Sequence, residues 1–288
     1  MSSRSGPQLD RDSLLRPRLR RPRGRAALDQ AGALVDLLHD GTSYPRGSVV
    51  LEAGCGVGAQ TVTLAKRSPA ARFLSVDLSA ESIAEARARV EAAGLGNVEL
   101  RQGDVLAGGF EAESFDHVFV CFLLEHLARP ADALRHLVTL LHPGGSLTVI
   151  EGDHGSAYFH PESAAADEAI QCLVELQRRA GGDSLLGRRL YPLMVASGLE
   201  AVQVAPLMVY VDSSRPDLVE RFTKRTFTAM VASVREQVVS EGLLTAERFD
   251  EGIRGLHRAA EADGVFCYTF FKGVGVKRVD VRGDPPTR

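Results

Sequence analysis

Val49-Val50-Leu51-Glu52-Ala53-Gly54-Cys55-Gly56-Val57-Gly58 is the stretch on which the fold turns. An apolar run enters three alternating glycines, and helix-forming residues follow from about Gln60 to Arg67. Glycine lacks a Cβ, so the chain can turn sharply there and a ligand can approach the backbone closely. A helix that opens on such a loop presents free N–H groups and the positive end of its dipole to an anion. The unit reads as strand, ligand-binding loop and helix.

Working outward, the periodicity predicts an amphipathic helix over 26–40, then strands over 48–52, 72–77, 98–101, 117–122 and 146–151. Helices are expected over 80–93, ending at Gly94, and over 131–141, before a turn at Pro143-Gly144-Gly145. Strands alternating with helices imply a doubly wound, mostly parallel α/β sheet. Beyond it, helices are expected over 162–180 and 185–197 and a strand over 202–211. A helical stretch over about 216–262, broken near Gly242 and Gly252, precedes an aromatic-rich last strand over 266–276.

Size and charge limit the function classes. The 288 residues are 44% hydrophobic and carry a net charge of −3, which gives no electrostatic case for nucleic acid. No apolar run nears the ~20 residues that span a bilayer, and the N-terminus lacks the apolar core of a signal peptide. Cys55, Cys121, Cys172 and Cys267 form no CxxC pair, so neither zinc nor a disulfide framework is expected, and reduced thiols in a cytoplasmic protein are. Residues 1–25 hold eight arginines against two aspartates, a local +6 that leaves −9 on the rest. That segment reads as a basic, flexible arm, without the interleaved aromatics of an RNA-binding one.

Two cofactors compete for the glycine loop. Gly54-Cys55-Gly56-Val57-Gly58-Ala59 fits the dinucleotide fingerprint, with Asp77 about twenty residues on as the ribose acid. Glu52, Gly54, Gly56 and Gly58 also fit E/D-x-G-x-G-x-G, the loop of class I S-adenosylmethionine-dependent methyltransferases. Further landmarks resemble that family: Gly103-Asp104, Leu123-Leu124-Glu125-His126, Leu141-His142-Pro143-Gly144-Gly145 and the aromatic last strand. The resemblance covers roughly residues 43–277. It implies a seven-stranded Rossmann-like domain over 26–277, with a helical lid or dimer insertion over about 212–264 and a tail over 278–288. The wide separation of the last two strands departs from the minimal family fold.

The resemblance also implies roles. Gly54, Gly56, Gln60 and Thr61 would hold the methionine end of S-adenosylmethionine, and Glu52 would order the loop or reach the amine. Asp77 would bind the ribose or cap the next helix; Asp104 would meet the adenine or be a turn residue. Phe122 lies in the segment that would cover the cofactor. Tyr44 would either face the sulfonium, gaining ~0.5–2 kcal/mol of cation–π attraction, or pack in the core. On the acceptor side, Glu151-Gly152-Asp153-His154-Gly155-Ser156-Ala157-Tyr158 lies beyond a strand end, where open α/β sheets bind ligands. His154 and then Tyr158 are its candidate general bases, against a role in loop ordering. No metal is expected.

The expected activity is methyl transfer to a small aromatic or heteroaromatic acceptor. Residues 151–156 and 209–216 resemble methyltransferases of bacterial specialised metabolism, some of which methylate indole C3 to give pyrroloindolines. O- or N-methylation of another small metabolite is the broader alternative. A nicotinamide-dependent oxidoreductase and a catalytically silent cofactor-binding protein are the remote ones. The helical insertion leaves room for a homodimer, and neither nucleic acid nor a membrane is an expected partner.

Overall fold

A computed structural model describes residues 32–279. The basic arm and most of the C-terminal tail lie outside these residues. Seven strands form one sheet in the order β3-β2-β1-β4-β5-β7-β6. Strands β1 (Val49–Ala53), β2 (Arg72–Asp77), β3 (Val98–Gln102), β4 (Phe115–Cys121) and β5 (Leu141–His160) pair in parallel. β7 (Val265–Lys277) runs antiparallel to both β5 and β6 (Leu199–Asp212). This is the doubly wound, seven-stranded arrangement that the alternation of elements predicts.

Alternate residues of the central strands face opposite layers. Val50, Phe73, Phe119 and Ile150 pack with α1 (Gly32–His39), α2 (Ala59–Arg67) and α5 (Ala164–Arg179). Leu51, Val76, Val118, Val120 and Val149 pack with α4 (Pro130–Leu140) and α6 (Leu190–Ala196) on the other side. Both layers are apolar, so the strands read as near-continuous hydrophobic runs. Ser79 starts α3 (Ala80–Ala92) by accepting the Ser82 N–H at 3.1 Å, as an N-cap should.

Three expectations are corrected. The strand expected to end at Glu151 continues to His160. β7 is long enough to pair with Tyr158, Phe159 and His160, after a register break between Asp153 and Tyr158. Pro143-Gly144-Gly145 forms the bent start of β5, where Gly144 takes φ +82°. Gly252 does not break its helix but lies inside α10 (Ala246–Arg258). A Cβ there would sit 2.3 Å from the Ala165 carbonyl oxygen, and one at Gly255 would sit 2.5 Å from Ser163 Oγ. The two glycines, one helical turn apart, let α10 lie directly on α5.

The insertion occupies residues 213–264, between β6 and β7. It contains α7 (Pro216–Leu218), a π-helix over Val219–Thr228, α8 (Ala229–Ala232), α9 (Arg235–Ser240) and α10. Its inner face buries Phe222, Phe227 and Phe249. Phe222 and Phe227 meet Phe266, Tyr268 and Phe270, which share one face of β7 by their two-residue spacing. Arg248 also clasps Glu168 of α5 through two hydrogen bonds, at 2.7 and 2.8 Å.

Candidate active site

The three loop glycines all take left-handed backbone angles, with φ of +76°, +55° and +80° at Gly54, Gly56 and Gly58. Their surroundings differ. A Cβ on Gly54 would lie 3.0 Å from Leu123 Cδ1, and one on Gly58 would lie 2.9 Å from Ala86 Cβ of α3. A Cβ on Gly56 would meet nothing within 4 Å. Gly54 and Gly58 thus bring the loop against its neighbours, and Gly56 leaves one backbone face open to a ligand.

Asp77, the last residue of β2, orders this loop. Its Oδ2 accepts the Gly56 N–H and its Oδ1 the Ser79 N–H, both at 2.9 Å. A carboxylate has about four acceptor sites, so it retains capacity for ribose hydroxyls. Asp104 follows β3, and its Oδ1 accepts the Leu106 N–H at 2.9 Å. Asp77, Asp104 and the open face of Gly56 thus share the carboxyl end of the sheet, with a chemistry that fits an anion at the loop, two hydroxyls and an amino group.

Other expected cofactor residues are engaged within the protein. Glu52 is buried beneath the loop, where its Oε2 accepts hydrogen bonds from Thr61 Oγ1 and Ser75 Oγ, each at 2.6 Å. Thr61 therefore braces α2 against β1 from below, and its hydroxyl is spent on Glu52. Gln60 is partly exposed and bonds through Oε1 to Nε2 of His39 at 2.5 Å. His39 stacks on Phe119, a support that sequence reasoning missed. Tyr44 does not reach the loop. Its ring is buried 4.9 Å from His117 and 5.9 Å from Phe73, both level with Val50. That level is four residues before Gly54, or about 13 Å along the strand. Packing in the core is the arrangement found, and the sulfonium-facing role is withdrawn.

Burial raises the Glu52 pKa to about 7, above its ordinary 4.5, despite the two hydroxyls. A raised folded pKa makes this stability contribution complete below about pH 4.5 and lost as pH rises through 7. Glu52→Gln is therefore expected to narrow the stability difference between pH 5.5 and 8.5, by up to roughly 2 kcal/mol. Urea midpoints of variant and wild type at the two pH values test this; parallel shifts would remove Glu52 as the source.

At the end of β4 the chain bends through Phe122, which takes φ +54°. A bulky residue there is strained, and such strain clusters at functional sites. The amides of Leu123 and Leu124 donate to Oε1 of fully buried Glu151, at 3.1 and 2.7 Å. Burial and the nearby Glu125 carboxylate hold the Glu151 carboxyl well above its usual range. One carboxyl at the start of the expected acceptor segment thus fixes the loop that follows β4.

The bulge after Asp153 separates the two candidate bases. His154 is 5% exposed, its main-chain N–H donates to Ser184 O at 2.9 Å, and its Nδ1 lies 2.7 Å from the Tyr268 hydroxyl. Desolvation lowers its pKa to about 4, so it is neutral at physiological pH. Its Nε2 is buried without a partner, a state that costs about 1–3 kcal/mol. Asp153 beside it receives both guanidinium bonds of Arg188, at 2.6 and 2.8 Å. Tyr158 is 55% exposed and its hydroxyl donates to Met208 Sδ at 3.3 Å, so it does not join His154. A base role for Tyr158 has no geometric support.

A line of rings runs from the loop after β4 to His154. Phe122 lies 5.4 Å from Phe270, Phe270 4.8 Å from Tyr268, Tyr268 5.5 Å from Phe227, and Phe227 6.1 Å from His154. Thr223 and Thr228 of the π-helix and Ser184 add buried hydroxyls without partners. Sequence reasoning did not single out these three, since no motif marks them, and it read Arg188 as part of a solvated face, whereas Arg188 pairs with buried Asp153. The spacing of Phe266, Tyr268 and Phe270 was the signal for Tyr268. A separate cleft lined by Arg46, Ser48, Asp116, His117 and His142 lies at the amino ends of β1 and β4, away from this chemistry. Among the described residues there is no cluster of three or more side chains able to hold a metal, and no helix long and apolar enough to cross a membrane.

Residues 50–145 match the methyltransferase domain family. An uncharacterized 37.1 kDa protein encoded in a Streptomyces fradiae transposon is 30% identical over 224 residues, 77% of this chain and 61% of that protein. The 2-phytyl-1,4-naphthoquinone methyltransferase of Thermosynechococcus vestitus is 29% identical over 46% of this chain and 56% of its own length. The chain thus spans about half to three-fifths of these relatives. Among solved structures, a putative methyltransferase of Bacillus halodurans has a TM-score of 0.56 at 17% identity, covering 85% of this chain and 99% of that one. The [4+2]-cyclase SpnF has a TM-score of 0.55 at 19% identity, covering 89% and 85%. At these identities the structural likeness is one of fold.

Proposed function

We propose, for a chain whose domain belongs to the class I S-adenosylmethionine-dependent methyltransferases, that it transfers a methyl group to a small aromatic or heteroaromatic acceptor held beneath the insertion. The open face of Gly56, set against the Asp77 carboxylate, carries the cofactor half of this reading. The line of rings from Phe122 to His154 carries the acceptor half.

S-adenosylmethionine supplies a methyl carbon already activated by a positive sulfur. Gly56 and the start of α2 would hold the cofactor's methionine end, and Asp77 and Asp104 would meet its ribose and adenine. The aromatic wall aligns the acceptor and keeps water out. Such positioning lowers a barrier by up to ~7–11 kcal/mol in favourable cases. When bound, the sulfonium would serve as the leaving group, keeping the carbon–sulfur electron pair as the acceptor atom takes the methyl carbon. Methylation at indole C3 is the narrower reading, in which His154 takes the indole N–H proton; it requires a lone pair on Nε2.

Binding and turnover test the proposal separately. S-adenosylhomocysteine at a hundred times its dissociation constant should stabilise the protein by about 2.7 kcal/mol. Methyl-labelled cofactor should label one or more members of a panel of bicyclic aromatics. A shift with NAD and none with S-adenosylhomocysteine would overturn the cofactor. Cofactor binding with no labelled product across indoles, phenols, quinones and amines would favour a silent or non-methylating protein.

A further inference from the structure

His154 is one of the buried polar groups among the described residues that the fold leaves unsatisfied. It is buried, its ring is fixed between Phe227 and Tyr268, and one of its nitrogens has no partner. The Tyr268 hydroxyl decides which nitrogen carries the proton. Burial and the surrounding carboxyls of Glu125, Asp153 and Glu151 push the Tyr268 pKa well above its ordinary value, so the phenol stays neutral. A neutral phenol has one proton to donate, and His154 Nδ1 lies 2.7 Å away. Nδ1 is the acceptor that lies within hydrogen-bond reach of that proton. If Nδ1 accepts, a neutral imidazole carries its own hydrogen on Nε2.

We propose that His154 is a hydrogen-bond donor, through Nε2–H, to a carbonyl-type oxygen of the methyl acceptor, and that Tyr268 is the positioning residue that sets this tautomer. The inference rests on the reading above and narrows the acceptor to an uncharged aromatic molecule bearing a ring or side-chain carbonyl. Charge supports that class. Neutral His154 cannot balance a carboxylate or phosphate, and the guanidinium of Arg188 is committed to Asp153. The hydroxyls of Ser184, Thr223 and Thr228 are further uncommitted polar groups at this end. This tautomer has no Nε2 lone pair with which to take an indole proton.

Full-length protein labelled with 15N-histidine tests the tautomer without any substrate. The His154 signals, identified by their loss in His154→Gln, should show hydrogen on Nε2 and a hydrogen-bonded, unprotonated Nδ1. Tyr268→Phe should shift the ring towards a mixture of tautomers. Hydrogen on Nδ1 in the wild type would overturn the proposal. The ligand class is tested with 1-indanone and indole, titrated in the presence of saturating S-adenosylhomocysteine. His154→Ala should weaken 1-indanone roughly tenfold and leave indole within twofold. His154→Gln, which keeps a donor, should recover most of the loss. Equal binding of 1-indanone by wild type and His154→Ala would mean that a trapped water satisfies Nε2, and would overturn it. So would a wild type that fails to bind 1-indanone. S-adenosylhomocysteine affinity, measured first on each protein, separates these outcomes from a failure of the cofactor assignment.

Discussion

Asp77→Ala is expected to lower the affinity for S-adenosylhomocysteine by a hundredfold or more. The lost carboxylate has two tasks. It ties Gly56 to the end of β2 and fixes the first amide of the turn into α3, and in the proposed complex it receives the ribose hydroxyls. Hydrogen bonds to a charged group contribute about 1.5–3 kcal/mol each, so losing those to the ribose accounts for the effect, and the loosened loop adds to it. Calorimetric titration checks it. Asp77→Asn separates the tasks: it keeps one acceptor oxygen and should lie between wild type and alanine. An alanine variant within threefold of wild type would remove Asp77 from the cofactor site.

The second large effect is expected far from the cofactor, at Gly252. Adding one methyl group there places it 2.3 Å from the Ala165 carbonyl oxygen and 2.9 Å from Ala169 Cβ. The first obstacle is backbone, so α10 must move off α5. Overpacking of this kind costs about 1–3 kcal/mol and sometimes more, which for a chain of this size lowers Tm by several degrees. The functional prediction is sharper. Gly252→Ala should bind S-adenosylhomocysteine nearly as well as wild type, since the glycine loop lies elsewhere. It should lose most turnover, because the π-helix that carries Phe227 belongs to the displaced insertion. Equal losses of cofactor binding and turnover would mean that the two halves are not separable.

These cases explain what could be read from sequence. Gly54, Gly56, Gly58 and Asp77 were legible because their constraints are local: a turn, a helix start and a strand end all lie in one short segment. The parallel sheet was legible because hydrophobic runs and helical periodicity alternate. Gly252 was misread, since a glycine in a helical pattern looks the same whether it breaks the helix or admits a neighbour. The continuation of β5 to His160 depends on β7, more than a hundred residues later. His154 stood out by composition alone. Its partner Tyr268 lies 114 residues away, and no spacing rule connects them. Tyr44 sat at a plausible position and packs in the core, because ring burial is a property of three dimensions.

The π-helix Val219–Thr228 has a consequence for how acceptor specificity could change. A π turn carries about one residue more than an α turn. Deleting one residue there would let one turn relax to α geometry, re-aiming the side chains within that turn while the helix beyond it keeps its direction. Side chains of the altered turn, such as Phe222 or Thr223, would then point elsewhere, while the glycine loop, Asp77 and the strand order would be untouched. Chain length within this one segment is thus an adjustable dial for the side chains the insertion presents to β7, independent of the glycine loop.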